Sequence, residues 1–229
     1  MGYSFKTFLK HTAKDFHNQS VNPPVVRAST IIFKSMEDIR RTQNKHKKDP
    51  TGGYFDYGRQ GTSTTHILQK ILTKMEESYH VFLTPTGFAS VFLAIFSLVR
   101  PGDEILVADP VYSPTRLLTE DYLKNYNVKT IFYNPHDLNT LKRNITKKTK
   151  LIFVENPGSN SFEFQDLSKI ISIAKKHKLF TAIDNTWATP YFLKPIKLGF
   201  DMSIVSATKY YSGHSDVMGG SLAVNKRVF

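Results

Sequence analysis

Residues 201–216, DMSIVSATKYYSGHSD, are the stretch around which the rest of the sequence is arranged. An apolar run at residues 202–205 predicts a buried strand, and Lys209 follows it between Thr208 and Tyr210. Most lysines are exposed, so the ordinary interpretation is a cation at a solvated strand end. A lysine that loses solvent at such a position can instead act as an amine nucleophile toward a carbonyl. The remainder of the chain has to decide between these two interpretations.

Apolar and amphipathic segments alternate from about residue 63 onward. β-branched and apolar runs predict strands at residues 80–83, 105–108, 128–133, 151–154, 180–183, 202–205 and 221–224. Apolar residues at helical spacing predict helices between them, most clearly at residues 88–99, 113–125, 138–145 and 167–177. This alternation predicts an α/β fold, with a mostly parallel, doubly wound sheet and helices on both faces.

The first 62 residues follow a different pattern. They show little periodicity and are rich in Asn, Pro, Gly, Thr and aromatic residues, which predicts an extended arm or a loop-rich lead-in, with Lys45–Lys48 in a loop. Aromatic side chains argue against disorder, so we expect Tyr54, Phe55 and Tyr57 to pack, including against another subunit. The predicted division is an arm, residues 1–62, and a large domain, residues 63–229.

Composition narrows the class of protein. The 229 residues carry a formal net charge of +12 and no cysteine, which excludes disulfides and thiolate metal sites. The basic residues are dispersed and no nucleic-acid motif accompanies them, so a solvated basic surface is the simpler interpretation and no nucleic-acid partner is expected. There is no apolar run of about 18 residues and no signal-peptide core. We therefore expect a cytoplasmic protein without a membrane span and without a metal site.

Polar clusters follow five of the predicted strands, at residues 84–86, 109–112, 155–159, 184–186 and 206–209. In wound parallel sheets, ligands bind in the crevice at the carboxyl ends of the strands. Five polar clusters at five strand ends are difficult to explain by packing alone. The sequence therefore predicts a ligand site at this edge of the sheet.

Each candidate residue has an ordinary structural interpretation beside the functional one. Gly87 can let the main chain approach a phosphate at a helix start, or serve a routine strand–helix turn. Asp184 can pair with a ring nitrogen, or cap a turn. Tyr112 can stack on a planar cofactor, or fill the core. The hydroxyls of Ser206 and Thr208 can donate to a phosphate.

Together with the amine of Lys209, these groups fit one cofactor well, pyridoxal 5′-phosphate held as a Schiff base. Enzymes that use this cofactor place an Asp at the pyridine nitrogen, which keeps the ring an electron sink. The sequence contains neither GxGxxG nor GxxxxGK[ST], so the dinucleotide fingerprint and the common nucleotide-binding loop are absent.

Six motifs make the sequence similar to a known family. From about residue 21 to residue 229 it resembles the Cys/Met-metabolism pyridoxal-phosphate enzymes, the γ-subfamily of fold-type I transferases and lyases. The sequences of two of these motifs, NPPVVRAST and IDNTWATP, are most like those of the bacterial cystathionine β-lyase branch. The motifs are NPPVVRAST at 22–30, YGRQGTST at 57–64, LTPTGFAS at 83–90, DPVYSPT at 109–115, IDNTWATP at 183–190 and SATKYYSGHSDVMGG at 206–220.

The resemblance implies a role for each matching residue. Lys209 would form the Schiff base, Asp184 would pair with the pyridine nitrogen, and Tyr112 would stack over the ring and assist at the substrate amine. The catalytic residues would thus be Lys209 and Tyr112. The resemblance also implies a seven-stranded sheet like that of aspartate aminotransferase and a homotetramer built from dimers. The phosphate would be held by Gly87, Phe88, Ser206 and Thr208 and, from a neighbouring subunit, by Tyr57 and Arg59.

The activity that the resemblance implies is a β-elimination in methionine biosynthesis, or trans-sulfuration, in which cystathionine and water give homocysteine, pyruvate and ammonia. The sibling cystathionine γ-synthases, γ-lyases and sulfhydrylases share most of the motifs, so their activities stay open. Complete members carry a further C-terminal domain with an arginine for the substrate carboxylate, and nothing after residue 224 matches it. We therefore expect either the N-terminal portion of an active lyase or a truncated, inactive chain that binds the cofactor.

Overall fold

A computed structural model of the chain describes Ser4, Thr7 and residues 22–229. The chain forms two units, Met1–Lys74 and Met75–Phe229. The predicted division into an arm that contacts a neighbouring subunit and a large domain stays a prediction.

Helix α1, Met36–Lys48, is the longest element that lies wholly within the first unit's described residues. Ser35 begins it by accepting a hydrogen bond from the main-chain N–H of Asp38. Acidic residues occupy the first turn and basic residues the last turn, an order that suits the helix dipole. The prediction of a loop at Lys45–Lys48 is therefore wrong. The helix buries no residue, which explains why apolar periodicity did not reveal it.

Outside α1, the described residues 22–74 of the first unit are joined by hydrogen bonds between segments that are distant in sequence. A 3₁₀ turn, Gly58–Gln60, follows an isolated bridge between Thr30 and Tyr57. Helix α2, Ser63–Glu76, begins soon after. The Thr64 hydroxyl donates to the carbonyl of Pro24 at 2.9 Å and accepts from the N–H of Val26 at 2.8 Å. The residues before α1 are thereby tied to the start of α2.

The second unit is built on a seven-stranded sheet in the order β1-β7-β6-β5-β4-β2-β3. In the described chain β7 runs antiparallel to its neighbours β1 and β6, and the other pairs are parallel. All seven predicted strands are present, with β6 at the predicted residues, so the predicted mostly parallel, wound sheet is confirmed. The strands are β1 His80–Thr84, β2 Glu104–Ala108, β3 Lys129–Tyr133, β4 Thr149–Glu155, β5 Phe180–Asp184, β6 Met202–Val205 and β7 Gly220–Val224.

Helices connect the strands, and most of the predicted helices are present. The segment predicted as one helix at 113–125 is helical throughout, with a π-helical turn, Leu118–Tyr122, between α4 and α5. No helix among the described residues is long and apolar enough to cross a membrane. The helices are α3 Gly87–Phe96, α4 Ser113–Leu117, α5 Leu123–Asn125, α6 Leu138–Arg143, α7 Leu167–His177, α8 Thr189–Phe192 and α9 Pro195–Leu198.

The core of this unit has two layers, one on each face of the sheet. Successive residues of a strand point to opposite faces, so Ile105 packs in the layer of Ile95 from α3, whereas Leu106 packs in the layer of Ile170 from α7. Each of these side chains is fully buried, which contributes on the order of 1.5–3 kcal/mol apiece. The two layers hold the sheet rigid and leave its carboxyl edge to the loops.

Candidate active site

The five polar clusters predicted from the sequence lie at one edge of the sheet. Strands β1, β2, β4, β5 and β6 all run in the same direction. Their carboxyl ends therefore meet at one edge, and each cluster follows one of these ends. The sheet topology thus assembles the candidate residues of the second unit in one region.

Lys209 lies in a turn directly after β6. Its main-chain N–H donates to the carbonyl of Ser206 at 3.1 Å, and its carbonyl accepts from the N–H of Gly213 at 2.8 Å. The Lys209 Nζ lies 3.4 Å from the Ser206 Oγ. The side chain is exposed, which agrees with the ordinary of the two interpretations left open by the sequence, a cation at a solvated strand end. The turn also borders an open pocket of about 650 Å³.

Gly87 begins α3 in close contact with Ser206. A Cβ at Gly87 would lie 2.6 Å from both the Cβ and the Oγ of Ser206. Thr86 caps the helix by accepting a hydrogen bond from the N–H of Ala89 at 3.0 Å. The first main-chain N–H groups of a helix have no partner within it and attract anions. The N–H groups of Gly87 and Phe88 are therefore brought beside the Lys209 turn.

Thr208, the second predicted hydroxyl donor, is engaged with Gly219. Its Oγ1 accepts from the N–H of Gly219 at 3.1 Å, and its own N–H donates to the carbonyl of Gly219 at 3.3 Å. These bonds close the loop between Lys209 and β7. The Ser206 hydroxyl, by contrast, faces both the Lys209 amine and the start of α3.

Asp184 is a half-buried carboxylate at the end of β5. Its Oδ1 accepts from the N–H of Thr186 at 3.0 Å, and the Thr186 hydroxyl in turn accepts from the N–H of Ser206 at 2.8 Å. Burial raises the pKa of Asp184, while its bonds with Thr186 and the charge of Lys209 lower it. A partly desolvated carboxylate of this kind favours a cationic partner.

Tyr112 is presented by the loop after β2. It stands at the start of α4 with 45% of its surface exposed. Arg116 anchors the loop by donating to the carbonyl of Asp109 at 2.6 Å and by stacking on the ring of Phe132 at 4.1 Å. The Tyr112 ring is therefore free to face a ligand while its main chain is held.

Glu155 was grouped with a strand-end cluster in the sequence but given no role. The structure shows that its Oε2 accepts from the N–H of Tyr112 at 2.7 Å and its Oε1 from the hydroxyl of Ser159 at 2.6 Å. Ser159 also donates its N–H to the carbonyl of Pro110 at 2.7 Å. Glu155 thus fixes the loop that carries Tyr112, and only the position of Glu155 at a strand end could have indicated this.

Tyr57 and Arg59 belong to the first unit. Tyr57 is 45% exposed, and the guanidinium carbon of Arg59 lies 5.3 Å from the centre of its ring. Their predicted contact with a phosphate of a neighbouring subunit stays a prediction.

Comparison with known proteins places the chain in a family. Residues 6–228 match the family described as Cys/Met metabolism PLP-dependent enzyme. The chain belongs to this family. The resemblance inferred from the six motifs is thereby confirmed, and so is pyridoxal 5′-phosphate as the cofactor of the family.

Relatives within the Cys/Met-metabolism family differ in their named activities. The chain is 35% identical over 234 residues to a cystathionine beta-lyase of Haemophilus influenzae, covering 99% of this chain and 57% of that protein. It is 33% identical over 216 residues to an L-alanine/L-glutamate racemase of Wolbachia pipientis wMel, covering 92% of this chain and 53% of that protein. The chain therefore spans about half the length of the curated relatives that it matches.

A solved structure supports the same fold and cofactor. A Campylobacter jejuni protein that contains N′-pyridoxyl-lysine-5′-monophosphate superposes with a TM-score of 0.88 at 29% identity, covering 99% of this chain and 55% of that one. The fold is thus that of the pyridoxal-phosphate enzymes of fold-type I, as the sequence predicted.

The side chains present here are chemically suited to pyridoxal phosphate. The groups that suit the phosphate are the N–H groups at the start of α3 and the Ser206 hydroxyl, and the absence of a side chain at Gly87 lets Ser206 approach the helix start closely. Asp184 offers a carboxylate to a protonated ring nitrogen, and Lys209 offers the amine. Within the described residues, no group of three or more His, Cys, Asp or Glu side chains could hold a metal ion.

Proposed function

We propose that this chain acts in a pyridoxal-phosphate-dependent carbon–sulfur lyase that converts cystathionine and water to homocysteine, pyruvate and ammonia. The observation that carries the proposal is the placement of Lys209, Asp184 and the start of α3 around Ser206 at the carboxyl edge of the sheet. When bound, pyridoxal phosphate withdraws electrons from the substrate Cα. The similarity to cystathionine beta-lyases favours β-elimination among the activities of the family.

The residues of this chain divide the work of that reaction. Lys209 would hold the cofactor, remove the proton from the substrate Cα and return it to the departing sulfur. Asp184 would hold the proton on the ring nitrogen, because its partly buried carboxylate favours a cationic partner. Tyr112 would pack on the ring, and Gly87, Phe88, Ser206 and Thr208 would hold the phosphate. For Thr208 this role competes with its bond to Gly219.

The proposed assembly is a homotetramer built from dimers, in which Tyr57 and Arg59 reach the phosphate held by a neighbouring subunit. The aromatic and cationic side chains lie together in the first unit, and both can donate hydrogen bonds to a phosphate. The substrate is a small sulfur-containing amino acid in sulfur amino-acid metabolism, and we propose a cytoplasmic location.

The test is cofactor binding followed by product analysis. Added pyridoxal phosphate should give the visible band of a lysine-bound cofactor, and borohydride should fix it on Lys209. Lys209→Ala should lose both signals, and an equal band in the variant would refute the role of Lys209. Incubation with cystathionine should then release pyruvate in stoichiometry with homocysteine.

Other products would identify other members of the family. Racemisation of alanine without pyruvate would favour the activity named for the Wolbachia relative. Replacement or γ-elimination products would favour the cystathionine γ-synthase, γ-lyase or sulfhydrylase activities. Cofactor binding without any product would favour a chain that has the binding site but no turnover.

A further inference from the structure

Glu155 and Asp184 form a carboxylate pair at the edge of the sheet. They are the last residues of β4 and β5, and they are partners in the parallel register of these strands. Residues in register on adjacent strands direct their side chains to the same face. Two acidic side chains of the second unit are thus held side by side, one of them the proposed partner of the ring nitrogen.

Glu155 also connects this pair to Tyr112. Its two oxygens each accept one hydrogen bond, from the Tyr112 N–H at 2.7 Å and from the Ser159 hydroxyl at 2.6 Å. The loops that donate these bonds are packed closely, since a Cβ at Gly158 would lie 2.7 Å from the Pro110 ring. The main chain of Tyr112 therefore depends on Glu155 for its position.

The charged groups around the pair act differently on its two members. Burial and then the negative charge of Asp184 raise the pKa of Glu155 to about 7, and the donors that lower it are the uncharged Ser159 and Tyr112. Burial raises the pKa of Asp184 as well, but there the hydrogen bonds with Thr186 and the positive charge of Lys209, from the turn after β6, act to lower it. The loop after β2 brings a further ion pair, between Arg116 and Asp109.

Neighbouring carboxyl groups seldom ionise together, because the charge on one disfavours the charge on the other. The cation near Asp184 favours ionisation there, so the proton of the pair resides on Glu155. A protonated Glu155 can still accept from the Tyr112 N–H with one oxygen, and its O–H can donate to the Ser159 hydroxyl. Neutralisation therefore leaves the contacts with both loops available.

We propose that Glu155 is a positioning residue, which holds the Tyr112 main chain and carries a proton so that Asp184 keeps the negative charge facing the cofactor's ring nitrogen. The part that concerns the ring nitrogen rests on the proposed function of the site. The part that concerns Tyr112 does not, because the hydrogen bonds and the register are features of the chain itself.

Two substitutions separate the geometric role from the electrostatic one. Glu155→Gln removes the titratable proton and keeps an oxygen for Tyr112 and an N–H₂ for Ser159, whereas Glu155→Ala removes both contacts. Glu163→Gln is the matched control, because Glu163 lies on the following loop with its carboxylate bonded to Ser161. All three proteins are compared with the unmodified full chain.

The first measurement is amide hydrogen exchange at Tyr112 without cofactor. Protection should be kept in Glu155→Gln and Glu163→Gln and lost by roughly tenfold or more in Glu155→Ala, as expected when a main-chain N–H loses its hydrogen-bond acceptor. Equal protection in Glu155→Ala and the unmodified chain would overturn the positioning role. Loss of protection throughout the sheet in Glu155→Ala would mean that this variant unfolds. Ser159→Ala then replaces it, because it removes only one hydrogen-bond donor to Glu155. Protection of the Tyr112 amide should fall in Ser159→Ala, but by less than about tenfold.

The second measurement is the pH titration of the Glu155 carboxyl by carbon NMR, with its signal assigned by its absence in Glu155→Gln. The midpoint should lie near neutrality in the free chain and should fall when pyridoxal phosphate brings its ring nitrogen to Asp184. A midpoint in the ordinary range of Glu would overturn the proton assignment, and a midpoint unmoved by bound cofactor would overturn its link to Asp184. Failure of the cofactor to bind would instead count against the proposed function, with the Tyr112 result standing on its own.

Discussion

Glu76 offers a direct test of how burial controls charge in this fold. It ends helix α2 with 1% of its surface exposed, and both carboxyl oxygens lack a hydrogen-bond partner within the described residues. Burial raises its pKa to about 7, and the nearby Ser203, Lys194 and Tyr211 offset this only in part. We predict that Glu76→Gln stabilises the protein at alkaline pH and changes its stability little at acidic pH.

The magnitude follows from the two pKa values. The unfolded chain loses the proton of Glu76 near pH 4.5 and the folded chain near pH 7. Between these values the folded state binds more protons, so the free energy of unfolding falls as the pH rises. At about 1.4 kcal/mol per pH unit, the loss reaches roughly 3 kcal/mol at about pH 8 and is absent below about pH 4. Gln carries no charge and avoids this loss, and the hydroxyls near the site can pair with its amide.

The assay is urea unfolding of both proteins at several pH values, with the difference in unfolding free energy taken at each pH. Glu155 titrates in the same range but is present in both proteins, so its contribution cancels. Glu77→Gln is the matched control at the next position. Glu77 is bound by Lys194 at 2.5 Å and Lys197 at 3.2 Å, and these bonds lower its pKa. Its substitution should destabilise slightly at alkaline pH, and a pH-independent difference for Glu76→Gln would refute the reasoning.

Three further substitutions test the site and its support. Gly87→Ala should weaken pyridoxal phosphate binding by roughly tenfold, because the new Cβ would lie 2.6 Å from Ser206 and displace it. Unchanged affinity in an absorbance titration would contradict the proposed role of Gly87 and Ser206 in holding the phosphate. Asp201→Ala should lower the free energy of unfolding by about 2 kcal/mol, because the buried carboxylate accepts from the Thr181 N–H at 2.9 Å and binds Arg227 at 3.3 Å. An unfolding free energy in urea within about 0.5 kcal/mol of that of the unmodified chain would argue against this. Arg59→Ala should weaken cofactor retention in an oligomer but not in a monomer, measured by gel filtration with absorbance, and equal retention in both would count against the arm.

The sheet could be predicted from the sequence because each strand is a short apolar run bounded by turn residues. The run at residues 202–205, for example, lies between Asp201 and Ser206 and matches β6. The predicted strands also locate the strand ends, and therefore the edge of the sheet at which the polar residues lie. Helix α1 could not be predicted in this way, because it buries no residue and is held by its cap and its charges rather than by an apolar face.

Pairs of ionisable or polar residues that are neighbours only in the folded chain could not be predicted from the sequence. Glu155 and Asp184 are far apart in sequence, and only the register of β4 and β5 makes them neighbours. The same is true of Glu76 and Ser203, which meet where the end of α2 reaches the sheet. Sequence patterns indicate which polar residues lie at a strand end, but not which of them lie close enough to affect each other's ionisation.

Ser206 explains why residue 87 is a glycine. The sequence left open a routine strand–helix turn as the reason for this glycine. Gly87 is not among the glycines with positive φ, so the backbone conformation there is open to any residue. The space beside residue 87 does not allow a larger residue, because Ser206 lies 2.6 Å from the position that a Cβ would occupy. Ser206 also binds Thr186 through its N–H and approaches the Lys209 amine through its hydroxyl. One residue therefore contacts the helix start, the Asp184 turn and the lysine, the three groups proposed to hold the phosphate, the ring nitrogen and the aldehyde of the cofactor.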